Sequence, residues 1–149
     1  WVDTTANLLK QRNAANNAWI TIGSLAADNL GHAALASAQT FTAGQRGEIT
    51  ALTDASSIAT NLALSNNFSV TLAGNRTLAN PTNIVAGQSG SFFITQDGTG
   101  SRTLAYGTNF KFAGGTAPVL STAASSVDRV DYVVASSTII HAVASLDVK

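Results

Sequence analysis

Between Asn80 and Arg102 the chain reads NPTNIVAGQSGSFFITQDGTGSR, so that a compact run, Ser91 to Thr95, stands between a turn around Pro81 and two glycine-punctuated loops. This is the grammar of a β-strand between turns and leaves no room for a helix. Phe92 and Ile94 fall on one face and Phe93 and Thr95 on the other. Both faces therefore carry a phenylalanine, and the strand is expected to be covered on both sides, the second cover coming from another subunit. Pro81 removes a ladder donor, so no central strand passes through it.

The same alternation runs through most of the chain after Phe41. Glu48 to Thr53 is a short strand after the turn at Gly44 to Gly47. Ile58, Leu62 and Leu64, then Phe68, Val70 and Leu72, recur with a period of two on either side of Ser65, Asn66 and Asn67. The spacing predicts a hairpin from Ile58 to Leu72, with those side chains in the core. Further strands are predicted at Thr77 to Ala79, Thr103 to Tyr106 and Phe110 to Phe112, with a loop at Gly114 and Gly115. In Val127 to Ala135, Val130, Tyr132 and Val134 share a face with Asp128, while Arg129 and Asp131 are neighbours on the other. Thr138 to Leu146 sets Ile140, Ala142, Ala144 and Leu146 against Ile139, His141 and Val143, after a turn at Ala135 to Ser137. About nine strands with short polar turns, no sequence repeat and no heptads predict an all-β fold, a β-sandwich of jelly-roll type.

Ahead of this domain, Leu8 to Gln11 is expected to pair with Ala18 to Thr21 around Asn13, Asn16 and Asn17, which favour turns. A lone hairpin is marginal in water, so it needs a surface to pack on, from the main domain or from copies of itself. Leu25, Leu30 and Leu35 are spaced to fit neither a helix nor a strand, and Gly31 interrupts them. Residues 25–39 admit a short helix or an extended linker. The expected organisation is an extended N-terminal hairpin and linker over 1–40 and a sandwich over 41–149.

Charged residues are 11% of the 149, well below the usual share, and eight basic and eight acidic side chains leave a net charge of zero. Phosphate binding needs a basic footprint, so nucleic acid is not an expected partner. A neutral, hydroxyl-rich surface resists self-association poorly, which favours burying much of it in an obligate oligomer. With no cysteine there is no disulfide framework or thiolate chemistry. No apolar run approaches the ~18 residues of a membrane-spanning helix, and no basic-then-apolar leader is present, so membrane insertion is not expected. The chain begins at Trp1 and holds no methionine, and is expected to be the distal fragment of something longer.

Candidate chemistry is sparse. Asp97-Gly98-Thr99-Gly100 lacks the Lys-Thr pair of a phosphate loop and the acidic series of a calcium loop, and is expected to be a structural turn. His32 and His141 have no second ligand at metal-binding spacing, so no metal or cofactor is expected within one chain. Only a trimer axis would gather three copies of His141. Asp128 and Asp131 point to opposite faces of one strand, which spoils them as the facing carboxyl pair of glycoside hydrolysis, though a pair built from Glu48, Asp54 or Asp97 stays open. There is no nucleophile elbow. A non-enzyme is expected.

The segments SAQTFTAGQRGEITAL, NNFSVTLAGNRTLANPTN, GQSGSFFITQDGTGSRTLAYGTNFKFAGGTAP and VDRVDYVV resemble the C-terminal part of bacteriophage tail fibre and receptor-binding proteins, over Ser37 to Lys149. LLKQRNAANNAWITIG resembles a strand-turn-strand element of trimeric fibre shafts. The resemblance implies an interlocked homotrimer, a stalk followed by a β-rich knob, joined to the rest of the tail fibre in the virion and attaching it, outside the cell, to the bacterial envelope. The chain departs from the fuller pattern in lacking a tail-anchoring domain, collagen-like glycine repeats, the repeated coils of a depolymerase β-helix and a self-cleaving chaperone. A non-catalytic tip that binds a bacterial surface polysaccharide or another envelope receptor follows, with shallow sites lifted by avidity. Its candidate ligand-binding residues are Tyr106, Asn109, Asp97 and Arg102, on turns, with Trp1 or Trp19 as stacking alternatives. A purely structural capping module and a polysaccharide-degrading tailspike fragment are the competing readings.

Overall fold

The structure is a computed structural model and describes residues 2–3, 8–24, 44 and 46–149. Trp1, His32 and the expected helix or linker over 25–39 lie outside the described residues. Backbone contacts divide the chain into two compact units, Trp1–Gln45 and Arg46–Lys149.

In the first unit, β1 (Val2–Asp3), β2 (Leu8–Arg12) and β3 (Trp19–Ser24) form an antiparallel sheet in the order β1-β2-β3. The expected hairpin is there, with Arg12 opposite Trp19 and Lys10 opposite Thr21. Asparagine closes its turn by tolerating the left-handed region and by bonding nearby backbone. Asn16 sits at φ 55°, and the Asn13 side-chain oxygen accepts from the amides of Asn17 at 3.1 Å and Ala18 at 3.3 Å. The Arg12 guanidinium lies 4.6 Å from the Trp19 ring centre, a cation–π contact.

The second unit has two sheets around one core. The larger holds β4 (Ile49–Ala51), β6 (Asn67–Leu72), β8 (Ser89–Gln96), β10 (Phe110–Phe112), β11 (Val127–Ser136) and β12 (Ile139–Ser145) in the order β10-β12-β11-β8-β6-β4. The smaller holds β5 (Ser57–Ile58), β7 (Arg76–Leu78) and β9 (Leu104–Tyr106), in that order. Up to β9 the chain alternates between the sheets, and each strand lies parallel beside the one laid down two strands earlier: β6 on β4, β7 on β5, β8 on β6 and β9 on β7. This is the path of stacked coils. A parallel bridge from Asn61 to Thr82 ties the first coil to the second at another point. Then β11 pairs antiparallel with β8, β12 antiparallel with β11, and β10 parallel with β12.

The all-β class is therefore as expected, and two corrections follow. The stretch from Ile58 to Leu72 is not a hairpin, because β5 and β6 belong to different sheets and each pairs in parallel with other strands. Nor is the sandwich a jelly roll, whose strands pair antiparallel. Coils without a sequence repeat take its place. The physical reason is that alternation specifies which face is buried and says nothing of the neighbouring strand. Ile58 and Phe68 both point into the core, from opposite sheets. Leu62 is buried within a turn, and Leu64 is 65% exposed.

In-register parallel pairing stacks apolar side chains on one another at three core rungs. Phe68 lies beside Phe92 with ring centres 5.4 Å apart, Val70 beside Ile94, and Ile58 beside Leu78. The Phe92 ring also meets Tyr132 at 5.3 Å and Phe110 at 6.1 Å, which locks the antiparallel strands onto the coils. One rung carries an amide instead. Gln96, beside Leu72, is buried, but its Nε2 donates to the Arg102 carbonyl at 2.9 Å and its Oε1 accepts from the Arg102 amide at 2.8 Å, so both polar atoms are satisfied. On β11, Val130, Tyr132 and Val134 are buried with Asp128, and Arg129 pairs with Asp131 at 2.9 Å, as the alternation predicts.

The crossings from larger to smaller sheet carry two ion pairs. Arg76 binds both oxygens of Asp54 at 2.9 and 2.6 Å, and Arg102 binds Asp97 at 3.1 and 2.8 Å. In each case the arginine hydrogen bond is the main reason the carboxyl lies below the ordinary aspartate range. A depressed folded value means stabilisation that is complete above the unfolded value and is lost as pH falls through the folded one. Replacing both with Asn is thus expected to lower the melting temperature at about pH 6 and to lower it by less at about pH 2, below the unfolded carboxylate value. A deficit of equal size at both pH values would show that the pairs do not act through charge.

Candidate functional site

The four sequence-derived candidates do not converge. Asp97 and Arg102 are engaged with each other, and the Asp97 Oδ1 also accepts from the amides of Thr99 at 3.0 Å and Gly100 at 2.9 Å. That carboxylate holds the loop between β8 and β9 in shape, as an aspartate turn does. Asn109 is tied through its backbone, its amide donating to Asn80 Oδ1 at 2.8 Å and its carbonyl accepting from Ile140 at 2.9 Å. Tyr106 lines a cleft of about 420 Å³, and Arg102 borders a separate, smaller one of about 140 Å³ with Leu104, Pro118 and Leu120. Trp19 belongs to the first unit, 45% exposed under the Arg12 guanidinium.

The cleft forms where the chain leaves the smaller sheet for the larger. β9 ends at Tyr106, Gly107 to Asn109 turn, and β10 begins at Phe110, its amide closing the turn on the Gly107 carbonyl at 3.1 Å. Gly107 is required here, because a Cβ would sit 2.6 Å from the Asn80 backbone nitrogen. After β10 a 3-10 turn at Ala113–Gly115 carries the chain around the rim. A cavity of about 420 Å³ is left, lined by Tyr106, Thr108, Phe110, Lys111, Phe112 and Ala117.

Its chemistry is one charge among aromatic surfaces. The Tyr106 ring packs edge-on against Phe110 at 5.7 Å and Phe112 at 4.7 Å. Among the described residues the Tyr106 hydroxyl is buried without a hydrogen-bond partner, and burial, helped by the Asp128 charge, pushes its pKa above the ordinary tyrosine value. It stays a neutral phenol. Lys111 is exposed, its ammonium donating to the Thr108 carbonyl at 2.7 Å. The alternation Phe110, Lys111, Phe112 in a short strand beside Gly114 and Gly115 was the available signal for this cleft.

Elsewhere, Asp128 and Asp131 are engaged within the fold. Asp128, 1% exposed, accepts from the Ser121 amide at 2.8 Å, the Ser121 hydroxyl at 2.7 Å and the Asp147 amide at 2.8 Å. Asp131, on the opposite face, accepts from the Ser91 hydroxyl at 2.6 Å and pairs with Arg129. Tyr132 donates to the Asn66 carbonyl at 3.0 Å, and burial raises its pKa to about 12. His141 is exposed on the outer face of β12, opposite Val133. Among the described residues, no group of three His, Cys, Asp or Glu side chains is placed to hold a metal ion.

Residues 53–136, which run from the first coil through β11 and include the cleft, match a family model described as "Putative phage tail fibre C-terminal domain". No curated protein and no solved structure matches the chain.

Proposed function

The chain belongs to the phage tail fibre C-terminal domain family, and from that premise we propose that it forms the homotrimeric distal part of the fibre and attaches the virion to a bacterial surface polysaccharide without catalysis. The cleft between Tyr106 and Phe112 is the observation that carries this reading. The half-buried rings of Tyr106 and Phe112 offer apolar surface for the C–H groups of a sugar, while Thr108 and Lys111 offer hydroxyl and ammonium groups for its oxygens. No carboxylate lines the cleft, whereas glycoside hydrolysis takes two facing each other. That favours binding over cleavage.

Assembly into a trimer is supported by the outer face of the larger sheet. Val133 and Val143 are 53% and 62% exposed there, on the same face as Ile139 and a half-buried Phe93, on a chain with no net charge to keep copies apart. Three copies of a shallow cleft on one fibre bind by avidity where a single one would not hold a virion. Adsorption competition separates attachment from capping. Excess chain, added to host cells before the phage that carries it, is expected to suppress adsorption, and a structural cap would leave adsorption unchanged.

A further inference from the structure

A second cleft opens beside the first coil, where β4 and β5 are the edge strands of their sheets among the described residues. It holds about 290 Å³ and is lined by Thr50, Thr53, Asn61 and Thr82 above a floor that includes Phe68, with Leu64 on its rim. None of its lining residues is ionisable. Among the described residues, no side-chain hydrogen bond engages the hydroxyl of Thr50 or Thr53, and the Thr60 hydroxyl is buried in the same wall without a partner. Hydroxyl groups over apolar surface, with no charge, suit a neutral polyol rather than an anion or a peptide.

The two clefts share a wall. Asn80 lines the second cleft, while its Nδ2 donates to the Thr108 hydroxyl at 3.0 Å and its Oδ1 accepts from the Asn109 amide at 2.8 Å, so its other side is the turn that borders the first. Gly107, in the first cleft, is packed directly against it.

We propose that the two clefts are subsites for one neutral oligosaccharide chain, which passes over Asn80 from the aromatic cleft at Tyr106 to the threonine cleft at Thr50 and Thr53. This inference rests on the polysaccharide-binding reading above. It commits to an uncharged glycan longer than a disaccharide, because the chain must cross the Asn80 wall between a residue in each cleft.

The test is titration of the full chain with neutral oligosaccharides, mono- to hexasaccharide, released from host surface polysaccharide by mild acid. Two exposed positions are replaced to fill one cleft each, Thr53→Arg for the second and Ala117→Arg for the first. Wild-type affinity is expected to rise about tenfold or more beyond the disaccharide, which is the scale of one added set of contacts. Thr53→Arg should abolish that rise and keep short-ligand affinity, and Ala117→Arg should lose both. Affinity that is flat with length, or a rise retained in Thr53→Arg while Ala117→Arg still loses binding, overturns the second subsite and leaves the first standing. A change of oligomeric mass in Thr53→Arg would make the second cleft a packing surface and also overturn it. Absence of binding to every neutral oligosaccharide by the wild-type chain overturns the neutral-glycan proposal, and binding of acidic oligosaccharides from the same source would then leave the polysaccharide reading standing while their failure as well would overturn it.

Discussion

Replacing Gly90 with alanine is expected to abolish the native state of the second unit. Gly90 lies inside β8, opposite Tyr132 of β11, and a Cβ there would stand 1.7 Å from the Asn66 carbonyl oxygen and 2.6 Å from its carbon. The obstacle is backbone and has no rotamer by which to move aside. That same carbonyl accepts the Ser91 amide at 3.1 Å and the Tyr132 hydroxyl at 3.0 Å, so pushing it away breaks two hydrogen bonds and displaces the start of β6. Overpacking plus two lost bonds costs more than about 4 kcal/mol, most of the stability of an ordinary domain. Gly98→Ala is the control, because open space surrounds that position, and it should change stability by no more than about 0.5 kcal/mol. Thermal melts followed by near-ultraviolet circular dichroism decide the matter. A Gly90→Ala protein melting with the wild type would show that the coils do not pack as described.

Asp128→Ala is the second large effect. The carboxylate takes three donors in a buried site, two from Ser121 and one from Asp147, and so fastens both the segment before β11 and the tail after β12. Truncation leaves those donors without an acceptor, a loss of about 4 kcal/mol and roughly 15 °C or more in melting temperature. Asp128→Asn keeps the shape but turns an acceptor into a donor that faces other donors, so it should recover only a minor part of the loss. Full recovery by Asn would mean that packing, rather than hydrogen bonding, holds the tail.

Both predictions concern residues whose role is hidden in the sequence. Asp128 is legible as an inward residue of β11, since Val130, Tyr132 and Val134 alternate with it, but its acceptors' partners lie at Ser121 and Asp147, outside any local pattern. Gly90 reads as loop punctuation and is a strand residue at a close backbone approach. The strands β8 to β12 are legible because apolar residues alternate in each and a turn rich in glycine, serine or aspartate follows. Their partners are not. The coil spacing is uneven, shorter from Ile49 to Asn67 than from Asn67 to Ser91, and the stacked residues differ in kind, Thr50 beside Phe68 and Leu72 beside Gln96. Parallel neighbours leave no turn between them to announce the pairing.

At the candidate site, composition and turn placement led to Tyr106 and to three residues whose polar groups serve the loops themselves. A turn-borne aspartate and arginine close in sequence are free to satisfy each other, as Asp97 and Arg102 do. Lys111 and Phe112 escaped notice because a short strand reads as scaffold, and Asn80 because the wall it makes depends on a turn at Thr108 far along the chain.

Adsorption of the cognate phage in the presence of excess chain tests the attachment reading most directly, with the wild-type protein and Ala117→Arg, which fills the Tyr106 cleft from an exposed position, compared at equal concentration. The wild-type chain should suppress adsorption and Ala117→Arg, folded and assembled as the wild type, should not. Undiminished adsorption with the wild-type chain, or equal suppression by both, would contradict attachment through this cleft.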